Sequence, residues 1–248
     1  MNSVELKQVA DYITGWISTW FKGSGGKHAV VGLSGGIDSA VCAKLCADAL
    51  GKDNVIGVYM PCGYQPDIQD AYDVATAIGL TKTHEIEIGE ANCVLARSIP
   101  GFGNSEQAKL NLRPHLRMAT LYGVAQSVDH DGNPVDGKVC CTLNRSKALV
   151  GYTTLWGGLA GDFAPILFMS ATEVSAMGKY LGLPDTLTGK ASSDGLTGKT
   201  AEETLGITYE DIDEYFRGKL KDKELSDKIA DLQKKNQYMR DMVKIPHP

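Results

Sequence analysis

The chain has 248 residues, a formal charge of −5, 43% hydrophobic and 22% charged residues, which suits a soluble α/β protein and not a disordered or fibrous one. A negative balance without clustered Lys and Arg argues against nucleic acid as a partner. No apolar run approaches the roughly 20 residues that a helix needs to cross a bilayer, and "MNSVELKQVADYITGW" reads as an amphipathic helix instead of an export signal, so no membrane role and a cytoplasmic address are expected.

Ser3 is expected to cap a first helix, with Val9, Ile13, Trp16, Ile17 and Trp20 on one apolar face. Packing, in the core or between copies, outranks ligand stacking for the two tryptophans. "HAVVGLS" reads as a buried strand, followed by a helix from Ile37 to Leu50 that ends at Gly51. "NVIGVYMP" is a second strand stopped by Pro61, Asp67 to Ile78 a second helix, and "KTHEIEI" a third strand. His28 and His84 fall on these strands and read as packed or surface residues, not bases. Strands alternating with helices predict a doubly wound α/β fold, a parallel sheet covered on both faces with right-handed crossovers.

Beyond residue 100 the pattern is less regular. "LRMATLYGVAQSV" predicts a helix, "GKVCCT" a short strand, and "TEVSAMGKYLGL" a helix ended by Pro184. "KASSDGLTGKTAEETLG" is rich in Gly, Ser and Thr and reads as a mobile loop. "TYEDIDEYFRGKL" and "LSDKIADLQKKNQYMRDM" close the chain as helices. "DHDGNPVDG" resembles the start of a calcium loop but lacks its glycine and its closing Glu, so a surface turn is expected. With no internal repeat, residues 1–248 read as one domain.

Six cysteines, Cys42, Cys46, Cys62, Cys93, Cys140 and Cys141, form no CxxC pair and have no His at zinc-ligand spacing. Cys42 and Cys46 are expected to pack as small apolar side chains of one helix.

The informative stretch is "VVGLSGGIDSAVCAKL", a glycine pair where a buried strand hands over to a helix. Gly35 and Gly36 permit a tight turn. The helix start offers unpaired N–H groups and the positive end of its dipole, and Ser34 and Ser39 add hydroxyls, which together suit a phosphate. The P-loop lysine and the dinucleotide G-x-G-x-x-G are both missing. Asp38 in such a cradle would repel a phosphate unless a cation sits between them, which suggests Mg²⁺ on a nucleotide.

"SGGIDS" resembles the pyrophosphatase loop of the ATP-pyrophosphatase superfamily, whose fold is adenine-nucleotide alpha-hydrolase-like. Within it, "GVYMPCGYQPDIQDA", "LRMATLYGVAQS", "CTLNRSKALVGYTT", "AGDFAPI", "TEVSAMGKYLGLP", "SDGLTGKT" and "ETLGITYEDIDEY" resemble the NAD synthetase family in order and spacing over nearly the whole chain. The resemblance implies that the carboxylate of nicotinate adenine dinucleotide (deamido-NAD) attacks ATP, releasing pyrophosphate. Ammonia then converts the acyl adenylate to NAD and AMP. It also implies a homodimer, and at this length free ammonia in place of an attached glutaminase.

Carried over residue by residue, Gly32, Leu33, Ser34, Gly35, Gly36, Ile37, Asp38 and Ser39 would hold the ATP phosphates, with Asp38 a magnesium ligand and the catalytic carboxylate. Gln65, Thr142 and Ser193 would meet ATP; Arg117 and Asp162, with the positions of His115 and Leu155, would meet the dinucleotide. Several positions depart from the family pattern. Lys147 stands where a second magnesium ligand, a Glu, is expected; His115 replaces an arginine, Leu155 a lysine and Gly158 an acid. Ala171 replaces a lysine at a variable position, and Ala201 an acid. Lys147 would place an ammonium near the phosphates in partial replacement of metal charge. The departures leave open a working NAD synthetase with shifted ligands, an ATP-pyrophosphatase adenylating another carboxylate, or a non-catalytic nucleotide-binding relative.

Overall fold

The computed structural model describes residues 2–65, 68–129, 131–189 and 201–240. Helix α1 (Ser3–Ser24) leads into β1 (His28–Gly32), α2 (Ile37–Leu50), β2 (Val55–Tyr59), α3 (Ile68–Ile78) and β3 (Lys82–Glu85). After α4 (Gly89–Ser98) and α5 (Glu106–Ala125) comes β4 (Gly137–Val139). The chain continues with α6 (Arg145–Val150), α7 (Ala171–Tyr180), α8 (Asp185–Thr188), α9 (Ala201–Leu205), α10 (Tyr209–Phe216) and α11 (Lys223–Lys235).

All strand pairings are parallel, in the order β3-β2-β1-β4. The side chains alternate as a pleat requires. Ala29 and Val31 face a core built with α1, α2, α3 and α7, whereas Val30 faces a second core with Ile56, Val58, Val139 and Ala125 of α5. Both faces of the sheet are thus covered, as expected for a doubly wound fold. A third cluster, Val150, Ile207, Tyr209, Ile212 and Ile229, holds α6 to α10 and α11. The chain moves outward from β1 to β3 and then returns to the other side of β1 with β4, which makes the β1/β4 boundary a topological switch point. Open α/β sheets bind ligands beside such points, at the carboxyl ends of the strands.

The predicted strands and helices recur with shifted bounds. Helix α2 has the expected limits, and it is buried nearly all round, from Asp38 through Cys46. The cap of α1 is Asn2 and not Ser3: its side chain accepts from the Val4 and Glu5 amides at 3.0 Å, and Glu5 returns a bond to the Asn2 amide, a reciprocal capping box. Helix α5 starts ten residues before the predicted Leu116, because Pro114 sits inside it and reads as a breaker in sequence. Helix α4 was not predicted; its apolar residues, Val94 and Leu95 among them, face outward and none is buried. Strand β3 stops at Glu85, short of the predicted Ile88, and β4 keeps only the first half of "GKVCCT".

The remaining readings concern single side chains and short stretches. Cys42, Cys46, Cys140 and Cys141 are buried free thiols. The Asp129 carboxylate accepts from the amides of Asp131 and Asn133, a surface turn. Trp20 packs against Phe21 and Phe163. Of the predicted mobile loop, residues 190–200 lie outside the described residues, and its end forms α9. Among the described residues no helix is long and apolar enough to cross a membrane.

Candidate active site

Strand β1 hands the chain to a cradle at the switch point. Leu33 is buried and its amide still donates to Val58 of β2 at 2.9 Å, so the turn starts from a fixed base. Gly35 takes φ +77°, a left-handed value that a side chain would resist. Gly36 is the N-cap of α2 and supplies no side-chain cap, which leaves the first-turn amides to an incoming anion. The serine hydroxyls do more than the sequence suggested. Ser39 Oγ donates to the Gly36 carbonyl at 2.9 Å and lies 3.2 Å from Ser34 Oγ, and the Gly36 amide donates to Ser34 Oγ at 3.3 Å. Buried Ser39 therefore helps to shape the turn.

Asp38, in the first turn of α2, is buried with both carboxylate oxygens engaged. Asn144 Nδ2 donates to Oδ1 at 2.9 Å, and Lys147 Nζ to Oδ2 at 2.7 Å. The pair is well shielded, with side-chain exposures of 16% for Lys147 and 12% for Asp38, so solvent screens it less than a surface bridge. Burial pushes the Lys147 ammonium toward losing its proton, but the Asp38 charge, with nearby Tyr209 and Tyr152, leaves it above the ordinary lysine value. Lys147 is charged at neutral pH.

The same Asn144 caps α6: its side-chain oxygen accepts from the Lys147 amide at 2.9 Å. From behind, Ser146 Oγ donates to buried Asp213 of α10 at 2.6 Å and accepts from the Ala171 amide at 3.0 Å. Asp213 also accepts from the Thr172 amide and hydroxyl. One carboxylate thus ties together the starts of α6 and α7. Sequence reasoning missed Asn144, Ser146 and Asp213. Asn before "RSKALV" is a helix-cap signal that could have found the first; buried Asp213 gave no signal.

The loop opens into a cavity of about 550 Å³, lined by every residue from Gly32 to Ser39 together with Gln65, Arg117, Thr142 and Lys147. These are most of the residues singled out for ATP, with Arg117 beside them. Arg117 Nε donates to the Met60 carbonyl at the end of β2, 3.3 Å away. His115 and Leu155, two of the positions expected to depart from the family pattern, meet each other: the ring Nε2 lies 2.8 Å from the Leu155 carbonyl oxygen. Gly158 lines the cavity, and a Cβ there would come within 2.7 Å of Thr153 Oγ1. Asp162 is elsewhere. It accepts from the Val139 amide at 2.8 Å and from Tyr122, and it lines a separate groove with Trp16 and Trp20. Ser193 lies outside the described residues.

The donor set fits a metal in one way only. Asp38 is the single carboxylate among the described residues that line the cavity, and no group of three His, Cys, Asp or Glu side chains gathers anywhere among the described residues. An ion here would take Asp38 as one ligand and find the rest on a phosphate substrate and water.

Comparison with known proteins decides the family. The NAD synthase family model matches residues 9–246. The chain belongs to the NAD synthase family. It is 40% identical over 218 residues to the NH(3)-dependent NAD(+) synthetase of Methanococcoides burtonii, covering 86% of this chain and 80% of that one. It is 37% identical to the synthetase of the same name from Finegoldia magna, covering 89% of each. Among solved structures, the NMN synthetase of Francisella tularensis superposes with a TM-score of 0.86 at 28% identity, over 97% of this chain and 98% of that one. The NH3-dependent NAD synthetase of Campylobacter jejuni gives 0.78 at 28% identity over the whole of both chains.

Proposed function

We propose that this chain makes NAD by adenylating the carboxylate of deamido-NAD with ATP held on the Gly32–Ser39 loop, and then passing the acyl group to ammonia. The overall activity is that of the family, ammonia-dependent NAD synthesis by a ligase. One observation carries the site assignment: an uncapped helix start behind a left-handed Gly35, opening into the cavity that also holds Arg117 and Lys147. Arg117, the Asp38–Lys147 pair and the uncapped amides of the helix start suit a polyanion whose charge is redistributed during reaction.

In the first step a carboxylate oxygen of the dinucleotide bonds to the α-phosphorus, and the bond from that phosphorus to the bridging oxygen of pyrophosphate breaks. In the second, ammonia adds at the acyl carbon, AMP leaves, and a proton is lost to solvent. No side chain need become covalently attached; positioning and charge neutralisation carry the acceleration. The loop amides hold the leaving pyrophosphate, Arg117 and Lys147 balance its charge, and Gln65 and Thr142 flank the nucleotide. Magnesium, when bound with ATP, supplies further charge on the phosphates, and Asp38 would be its protein contact. Ser193 and Asp162 are assigned to ATP and dinucleotide on the family pattern alone.

We read residues 1–248 as one domain working as a cytoplasmic homodimer. What supports a second copy is α4, none of whose residues is buried, beside α5, where only Ala125 is. Val94, Leu95 and Ile99 leave an apolar surface there.

The acceptor is the part most open to another answer. The His115–Leu155 contact, with no arginine or lysine in it, and Gly158, with the high superposition on an NMN synthetase, favour as second reading the corresponding mononucleotide carboxylate. Purified protein with ATP, Mg²⁺ and ammonium should release pyrophosphate only when deamido-NAD is added, with NAD seen by mass spectrometry. Turnover confined to nicotinate mononucleotide would establish the second reading. Nucleotide binding without turnover on either acceptor would overturn both.

A further inference from the structure

We infer that Lys147 is a tethered counter-cation of the phosphate subsite, neutralising Asp38 so that the Gly32–Ser39 loop takes ATP without a divalent ion. This rests on the reading that the loop holds the ATP phosphates, and it extends that reading to how the site is charged before any metal arrives.

A buried carboxylate facing a triphosphate needs a positive partner between or beside them. Here the partner is part of the chain. Lys147 Nζ sits 2.7 Å from Asp38 Oδ2, while Asn144 occupies Oδ1, so neither oxygen is bare. The pair sums to zero charge, and a phosphate entering the cavity meets loop amides and a helix start without an opposing anion. An ammonium carries three N–H groups. One is spent on Asp38, and Lys147 lines the same cavity as the loop, which puts the ammonium on the side where a phosphate would enter.

The lysine is also held where it must act. Its own amide closes the Asn144 cap, and the next residue back, Ser146, is fixed to Asp213. The side chain reaches Asp38 from a braced helix start, not from a loose loop. Asp38 would be the protein contact for Mg²⁺ bound with ATP, which would supply further positive charge beside Lys147. Divalent ion then tunes the chemistry without being a condition of nucleotide binding.

Calorimetric titration with a non-cleavable α,β-methylene analogue of ATP tests this, in EDTA and in excess Mg²⁺. For the unaltered chain the two dissociation constants should lie within about fivefold. Lys147→Met should weaken binding in EDTA by about tenfold or more and recover in Mg²⁺. Lys147→Glu, with two facing carboxylates, should bind only in Mg²⁺. Because Lys147→Met leaves Asp38 buried and unpaired, Asp38→Asn with Lys147→Met serves as the second variant: it carries no buried charge, and it should regain metal-free binding relative to Lys147→Met alone. Binding by the unaltered chain only in Mg²⁺, an EDTA affinity untouched by Lys147→Met, or no recovery in the double variant would each overturn the inference. Absence of binding by the unaltered chain in both buffers would instead sink the reading of the loop as the ATP site.

Discussion

The proposed nucleotide half of the site, the Gly32–Ser39 loop, and the proposed acceptor half, where His115 meets Leu155, are built differently. In the Gly32–Ser39 loop the polar side chains are partnered while the helix-start amides are uncapped: Ser34 and Ser39 brace the turn, and Asp38 is held by Asn144 and Lys147. At His115, Leu155 and Gly158 there is no arginine, lysine or carboxylate, and a ring nitrogen of His115 meets the Leu155 backbone carbonyl. Next to them Trp156 is half-exposed and takes φ +57°, a strained value for an aromatic residue. Handling phosphate needs a fixed backbone shape, so the first half is rigid. Choosing an acceptor needs only side chains of the right charge and size, so the second half is less constrained by backbone shape.

The comparison can be broken first at its deepest support. Asp213→Ala removes the acceptor for the Ser146 and Thr172 hydroxyls in the interior and should cost about 3 kcal/mol, from buried polar groups left unmade at about 1–3 kcal/mol each. Urea unfolding measures it. A loss below 1 kcal/mol would mean the nucleotide half is not held from behind by α10. A medium effect is expected on the other side. Leu155→Lys restores a charge to the acceptor half and should lower the KM for deamido-NAD by about tenfold, leaving kcat and ATP affinity unchanged in steady-state kinetics. An unchanged KM would show that Leu155 does not face the dinucleotide.

The smallest effect lies in neither half. Glu87 accepts from the amides of Gly63, Gly89 and Glu90, and the Gly63 and Gly89 bonds hold its carboxyl below the usual range. A depressed folded value stabilises above the unfolded pKa, about 4.3, and that contribution disappears as pH falls through the folded value. The unaltered chain should therefore lose stability on acidification below that range more steeply than Glu87→Gln. The gap between the two should be widest near neutral pH, in thermal melts across a pH series.

Much of the sheet and the loop was legible in the sequence because both depend on short-range signals. Apolar runs of four to six residues bounded by Gly or Pro fix β1 and β2, and the glycine pair fixes the turn. Pro114 hid half of α5, since its ring is read as a helix end while the structure accommodates it against Gly157, where a Cβ would come within 2.8 Å of Pro114 Cβ. The ion pair was half legible. Lys147 stood out as a departure, but that it faces Asp38 across 109 positions of chain is a tertiary fact. Asp213 is the clearest blind spot, because an acid on an amphipathic helix reads as surface until its neighbours are known.

Asn144 uses the two ends of one amide for separate purposes, its oxygen on the helix start and its nitrogen on Asp38. Elsewhere Asp and Ser would be equal substitutes at a helix start. Here Asp would set two acceptors face to face, and Ser is too short to span the gap. The position is therefore closed to its ordinary replacements, and drift at this residue would silence the site while leaving the helix intact.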